Sequence, residues 1–291
     1  MKTTKIKRII ASVIAVFVVI IGNVTGVIAK APEKIITMGP NVTEMVVALG
    51  AYESIIGTTL TNHSRGPLEE YKAIYEKLPE LAFGSASRES VLASGAEYVF
   101  GIDWEFSESG LNIEELEKNG MKVFVEKAKT IDELYSEISE VSKILEREAE
   151  GEKLIAKIKE EVASVKPIQE KKKVLVFDSE NNGVYTAGGT NFATRLIEAA
   201  GGTNIFDDIK DKEWSAVSYE EVLSRNPELI VVLDYDVPSS EEKIKSIKAN
   251  PVLSQLDAVK NEKFLVLPLE NFLPGVRMGQ TVKSINEALL K

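Results

Sequence analysis

The 291-residue chain has no cysteine and only one histidine, His63. Without cysteine there is no thiol catalysis, no iron–sulfur cluster and no cysteine zinc site, and packing must stabilise the fold without disulfides. One imidazole cannot build the two- or three-histidine sites that direct zinc or manganese capture requires. No G-x-S-x-G elbow and no phosphate-binding P-loop occurs, so the sequence gives no support for a hydrolase. Positive charge is also short: 35 Lys and Arg against 45 Asp and Glu give a net charge of −10. Nucleic acid and anionic lipid would both repel such a chain. What is present is an ordinary globular composition, 44% apolar and 27% charged. The length suits two modest lobes or one large domain.

Residues 1–29 differ in kind from the rest. Lys2, Lys5, Lys7 and Arg8 form a basic start without acids, and Ile9 to Ile21 is an apolar run holding nothing more polar than Ser12. Small residues follow, with Val27-Ile28-Ala29 or Ala29-Lys30-Ala31 as cleavage sites. This order of regions reads as an export signal, or as an uncleaved anchor extending to Ile28. Its removal would bring the net charge to about −14.

From Lys34 onward, strand and helix patterns alternate. Lys34–Met38, Ser54–Thr58, Glu97–Ile102 and Met121–Val125 read as strands, with helices at Thr43–Leu49 and Leu111–Asn119 between them. After Pro167 the strands Lys173–Phe177, Leu229–Leu233 and Phe264–Leu267 alternate with helices Phe192–Ala200 and Gly279–Leu290. Such alternation predicts mostly parallel sheets covered by helices. Between the halves, Ile131, Leu134, Ile138, Val141 and Leu145 step by three and four, and Leu154, Ile158, Val162 and Val165 resume the stripe. That periodicity predicts one long amphipathic helix over 130–166, with Gly151 the place for any bend.

The two halves echo each other. Ser87-Arg88-Glu89-Ser90-Val91-Leu92 recurs as Ser218-Tyr219-Glu220-Glu221-Val222-Leu223, and Glu97-Tyr98-Val99 as Glu228-Leu229-Ile230. Thr43 to Gly50 matches Thr194 to Gly201 at a larger offset, so the first half carries about 20 extra residues, among them Asn62, His63 and Arg65. A duplication predicts two similar Rossmann-like lobes, over 33–129 and 167–291, joined by the long helix, with a ligand cleft between them at the strand ends.

These segments resemble the helical-backbone class of substrate-binding proteins of ABC importers, which serve ferric siderophores, haem and cobalamin. KIITMGPNVTEMVVALGA is similar to the start of that family, and SRESVLASGAEYVF and SYEEVLSRNPELIVV to its S-x-E-x-L-L-x(4)-P-D-x-V element, with Ala96-Glu97 replacing Pro-Asp in the first. VYTAGGTNFATRLIEAAGGTNIF, NPVLSQLDAVKNEKFLVLP and LPGVRMGQTVKSINEALL fit as well. The resemblance implies a monomeric binding protein, not an enzyme, without a cofactor of its own. Its ligand would be a metal chelate and its partner a permease dimer. It also implies that Glu89 and Glu220, one per lobe, dock on arginine pockets of the two permease subunits. A two-lobed protein with one carboxylate per lobe suits a twofold partner. The same acids also favour their helix starts by capping geometry and the helix dipole.

Candidate ligand contacts are Asn41, Arg65, Trp104, Tyr185, Trp214, Tyr235 and Arg277, all near predicted strand ends. Aromatics suit a bulky chelate, and arginines suit its carboxylates or catecholates. Trp214 sits six residues before Glu220, where the resembled family often has a cleft tryptophan. His63, alone in a loop, reads as incidental rather than as a haem ligand. Ferric siderophore ranks first among ligands, then corrinoid, then haem; a membrane-anchored sensor using the same clamp is the alternative class. Ile20-Ile21-Gly22-Asn23 has Asn23 where family members of single-membrane bacteria carry a lipidated cysteine. A periplasmic or secreted form, or one held by an uncleaved anchor, is therefore expected.

Overall fold

The computed structural model describes residues 30–59, 64–107, 110–235 and 237–291. The expected export segment, Asn62 and His63 lie outside the described residues. In the first lobe, strands β1 (Ile35–Met38), β2 (Ile55–Thr59), β3 (Glu80–Ala82), β4 (Tyr98–Ile102) and β5 (Lys122–Glu126) form one parallel sheet in the order β3-β2-β1-β4-β5. All four residues of β1 are buried, as expected of a central parallel strand covered on both faces.

The second lobe contributes β6 (Lys172–Phe177), β7 (Ser179–Glu180), β8 (Val184–Ala187), β9 (Gly202–Asn204), β10 (Trp214–Val217), β11 (Leu229–Asp234) and β12 (Phe264–Pro268). Four of them make a parallel sheet, β12-β11-β6-β9, and a small antiparallel sheet, β10-β8-β7, stands beside it. The order β9-β6-β11-β12 reproduces β2-β1-β4-β5 of the first lobe. The repeat extends to single bonds. Ser87 and Ser218 each cap a helix by accepting a hydrogen bond at 3.1 Å, from Ser90 N and Glu221 N. Glu97 N and Glu228 N each donate at 2.8 Å to the carbonyl of the residue at the foot of the neighbouring strand, Lys34 and Lys173. Thr43 and Thr194 both return their hydroxyls to a glycine carbonyl, of Gly39 and Gly188. Gly39 has φ of +105°, and a Cβ there would lie 2.8 Å from Ile102, so this turn requires glycine.

The connection differs from the single helix predicted over 130–166. It consists of two helices, Ile131–Ile144 and Glu148–Ala163, the first opened by a Thr130–Glu133 capping box. The break falls at Leu145–Arg147, where Glu146 takes φ of +52° and Arg147 N donates to Ser142 O. Gly151 does not bend anything: a Cβ there would meet Ser142 at 2.6 Å, so it marks a close approach of the two helices. Lys159 lies over the Tyr135 ring, 4.9 Å from its centroid. Pairing 151 with 142 and 159 with 135 makes the helices antiparallel, a helical hairpin rather than a strut.

One continuous apolar cluster runs through both lobes and the hairpin, including Val46, Leu134, Ile158, Leu196, Val231 and Ile285. Helix Pro40–Ala48 of the first lobe is bonded directly to the segment that enters the last helix, Met278–Leu290. Arg277 Nε and Nη2 donate to the two oxygens of Glu44 at 2.6 and 2.9 Å, with both side chains buried. Nη2 also donates to Gly66 O, and Glu44 accepts from Leu68 N. Burial pulls the Arg277 pKa down, but hydrogen bonding and charge from Glu44 outweigh it and raise the net value, so the guanidinium stays charged. Arg277→Met should cost about 3–5 kcal/mol, because it strands the Glu44 carboxylate in the interior. Urea unfolding checks this, and Glu44→Gln combined with Arg277→Met should cost less than the two single changes added together.

Candidate functional site

The carboxyl ends of the parallel strands of both lobes face one cleft, where open α/β sheets place their ligands. A cavity of about 580 Å³ lies there. Pro40, just past β1, and Ile102, Trp104 and Glu105, at the end of β4 and just beyond it, line it from the first lobe. Asp178 after β6, Tyr235 after β11 and Glu270 after β12 line it from the second. A second cavity of about 380 Å³, with Asn41 and Glu126 in its wall, shares Ile102, Trp104, Trp214 and Leu273 with the first. A third, of about 270 Å³, is lined by Lys172, Glu228 and Lys263 near the opposite strand ends, away from the cleft.

The small antiparallel sheet presents two of the aromatics. Tyr185 on β8 pairs with Ala216 on β10, two residues from Trp214, so both rings project from one face. They stack with centroids 5.9 Å apart and 17° between planes. Tyr235 is fixed differently: its hydroxyl donates to Asp178 Oδ2 at 2.8 Å. Trp104 and Tyr185 remain 52% and 41% exposed, which leaves apolar faces open to a partner. The four expected aromatics thus meet in one cavity.

The sequence profile of the family described as "Periplasmic binding protein" matches residues 35–270. The chain belongs to that family. It is 25% identical over 273 residues to the uncharacterized ABC transporter substrate-binding lipoprotein YvrC of Bacillus subtilis (strain 168), covering 90% of this chain and 81% of that one. It is 22% identical over 209 residues to a vitamin B12-binding protein of Yersinia pestis (strain Pestoides F), covering 70% of each. Among solved structures, a periplasmic binding protein from Veillonella parvula superposes with a TM-score of 0.81 at 24% identity, covering 90% of this chain and 92% of that one. These relatives are binding proteins, not enzymes.

The two expected arginines are not among the described residues that line the main cavity. Arg277 is committed to Glu44, since a buried guanidinium needs a counter-ion more than it needs a ligand. Arg65 donates from Nε and Nη2 to Asp234 at 3.0 and 3.1 Å. Burial pushes the Asp234 carboxyl up, but hydrogen bonds from Arg65 and Ser240 outweigh that and hold it below the usual range. Ser64 Oγ and Arg65 N both donate to Glu270 Oε1 at 2.6 Å, so the segment that sets the first lobe apart in length reaches the second lobe. Asn41 is buried in the second cavity, donating to Glu126 Oε2 at 3.2 Å and to Pro274 O at 2.7 Å. Three carboxylates of the main cavity escaped the sequence reading: Glu105, Asp178 and Glu270. Their signal was position directly after a strand, which acids in so acidic a chain do not make conspicuous. Phe83, 68% exposed beside the lining residues Gly84 and Ser85, was missed too. Among the described residues, no group of His, Cys, Asp and Glu is arranged to hold a metal ion.

Glu89 and Glu220 are exposed in the first turns of their helices. Among the described residues Glu89 is accompanied by Arg88, at 3.6 Å. Neither helix depends on these acids for its cap, which the preceding serines supply.

Glu126 carries an unusual proton. Burial and the nearby Glu137 raise its pKa to about 8, against the opposing effects of Asn41, Ala128 N–H and Lys129. The folded protein therefore holds a proton that the unfolded chain releases near pH 4.5, and stability falls as pH rises from there to about 8. Glu126→Gln should flatten this decline by on the order of a few kcal/mol. Glu137, also raised by burial, leaves some slope behind. Urea midpoints of both proteins across that pH range check the outcome.

Proposed function

We propose that this protein is the substrate-binding component of an ABC importer, capturing an iron chelate of the siderophore type and delivering it to a permease dimer. The observation that carries this is the interlobe cavity lined by Trp104, Tyr185, Trp214 and Tyr235. Large aromatic faces give a bulky chelate wide contact at little entropic cost. Family membership supports the clamp, and the kinship with an ABC transporter lipoprotein supports the permease partner. The relative that binds vitamin B12 supports a corrinoid as the second ligand class. We further propose that Glu89 and Glu220 meet the two permease subunits, and that the protein works outside the cytoplasm, held by its N-terminal segment or free. Among the described residues no helix is long and apolar enough to cross a membrane.

Both tryptophans of the chain line the cleft, so intrinsic fluorescence reports on it directly. Titration with ferric siderophores, haem and corrinoids should quench that fluorescence for one class. Trp214→Ala should weaken binding roughly tenfold, about 1.4 kcal/mol. Failure of every class to bind would sink the proposal.

Docking needs a paired measurement. Glu89→Arg with Glu220→Arg should leave ligand affinity of the isolated protein unchanged, because neither helix start lines the cavity. Uptake into cells or reconstituted vesicles should fall, further than with the two alanine changes, since like charges would then face each other across the interface. Loss of ligand affinity with uptake intact at saturating ligand would assign these acids to the site instead.

A further inference from the structure

Among the described residues that line the main cavity, the charge is of one sign. Glu105, Asp178 and Glu270 line it, and among its described lining residues there is no lysine or arginine. Three cations nearby are already engaged, and one of them, Arg277, is bonded to Glu44 while its charge also acts on Glu270. Arg65 is paired with Asp234, and Lys243 donates to Leu233 O while lying over the Tyr235 ring, 3.6 Å from its centroid. The adjoining cavity does contain Lys127 and Lys129; Lys129 is paired with Glu213, and Lys127 is exposed to solvent.

Glu270 is the most telling of the three acids. It is 2% exposed, and its Oε1 is held by Ser64 Oγ and Arg65 N. Among the described residues its Oε2 has no hydrogen-bond partner. A buried carboxylate oxygen without a partner is costly, and a donor arriving with the ligand would relieve that cost. Carboxylates set among exposed aromatic faces are suited to a cation, which gains both ion pairing and the attraction of the ring quadrupoles. An anionic chelate would meet repulsion from Asp178 and Glu270 in a site of reduced dielectric.

We propose that the cleft selects a metal chelate of net positive charge, with Glu270 and Asp178 supplying the counter-charge. This rests on the importer reading above and narrows it: anionic tris-catecholates and the dicarboxylate porphyrin of haem are disfavoured, and chelates bearing an ammonium, or cationic corrinoids, are favoured.

Matched probes separate charge from shape. The full chain is titrated by tryptophan quenching with a linear ferric trihydroxamate bearing a pendant ammonium, with the same chelate after acetylation of its amine, and with a ferric tris-catecholate. The cationic aquo and neutral cyano forms of one corrinoid make a second pair. On whichever scaffold binds, the cationic form should bind roughly tenfold tighter than its neutral twin, and the preference should shrink with added salt. The tris-catecholate should bind weakest. Glu270→Gln and Asp178→Asn should each reduce the preference, read as the ratio of cationic to neutral affinity within the same variant. Equal affinities within a pair, or tighter binding of the tris-catecholate, would overturn charge selection and leave the importer reading standing. Binding of none of these probes would overturn charge selection, and the importer reading falls with it if haem fails to bind as well. The wild-type comparison decides the matter even if a variant fails to fold.

Discussion

The bidentate pair between Glu44 and Arg277 ties the first helix of one lobe to the entrance of the last helix of the other, and the cleft is built around that tie. Asn41 lies one turn before Glu44 and reaches Pro274 on the same crossing segment. A Cβ on Gly275 would lie 3.2 Å from that of Asn41, so helix and segment pack at close range there. Charges this deeply buried demand partners, and each is held by more than one bond. With an apolar cluster continuous through both lobes, the halves cannot swing apart freely. Ligand capture in such a frame is a matter of small adjustments around a preformed cavity.

The chemistry of the cavity follows from where parallel strands stop. Side chains just beyond a strand end are held by the sheet yet stand free of its ladder. Pro40, Trp104, Asp178, Tyr235 and Glu270 all occupy such places. Tyr185 and Trp214 need another device, because the parallel sheet of the second lobe does not reach them. The short antiparallel sheet supplies it, with Thr186 fastened to Val176 O of β6 between the two lobes of the pleat that carry Tyr185 and Ala187. An aromatic wall is thereby fixed to the carboxyl end of β6 instead of riding on a loop.

Much of this was legible in the residues. The alternation of strand and helix patterns, the duplicated S-x-E-x-V-L block and the aromatics after strands led to the architecture and to four side chains that share one cavity. What was not legible had physical reasons. The break between the connector helices carries no proline or glycine, since Glu146 takes the left-handed conformation itself. Gly151 misleads in the opposite sense, because a glycine required by helix–helix contact looks in sequence like one that bends a helix. Arg65 and Arg277 were read by residue type, and only the fold shows that Asp234 and Glu44 stand opposite them.

The same pairing logic explains the sign of the cleft. In a chain with 45 acids and 35 bases, cations run out before carboxylates do. Arg277 is spent on holding the lobes together, Arg65 on Asp234 and Lys129 on Glu213. The two arginines and the lysine all act across the lobes, so closing the clamp and neutralising the cavity compete for the same residues. The geometry gives these cations to closure, while Asp178 and Glu270 stand at strand ends in the wall of the main cavity. A binding protein that instead used those arginines to grip an anion would have to open the contacts that shape its own site.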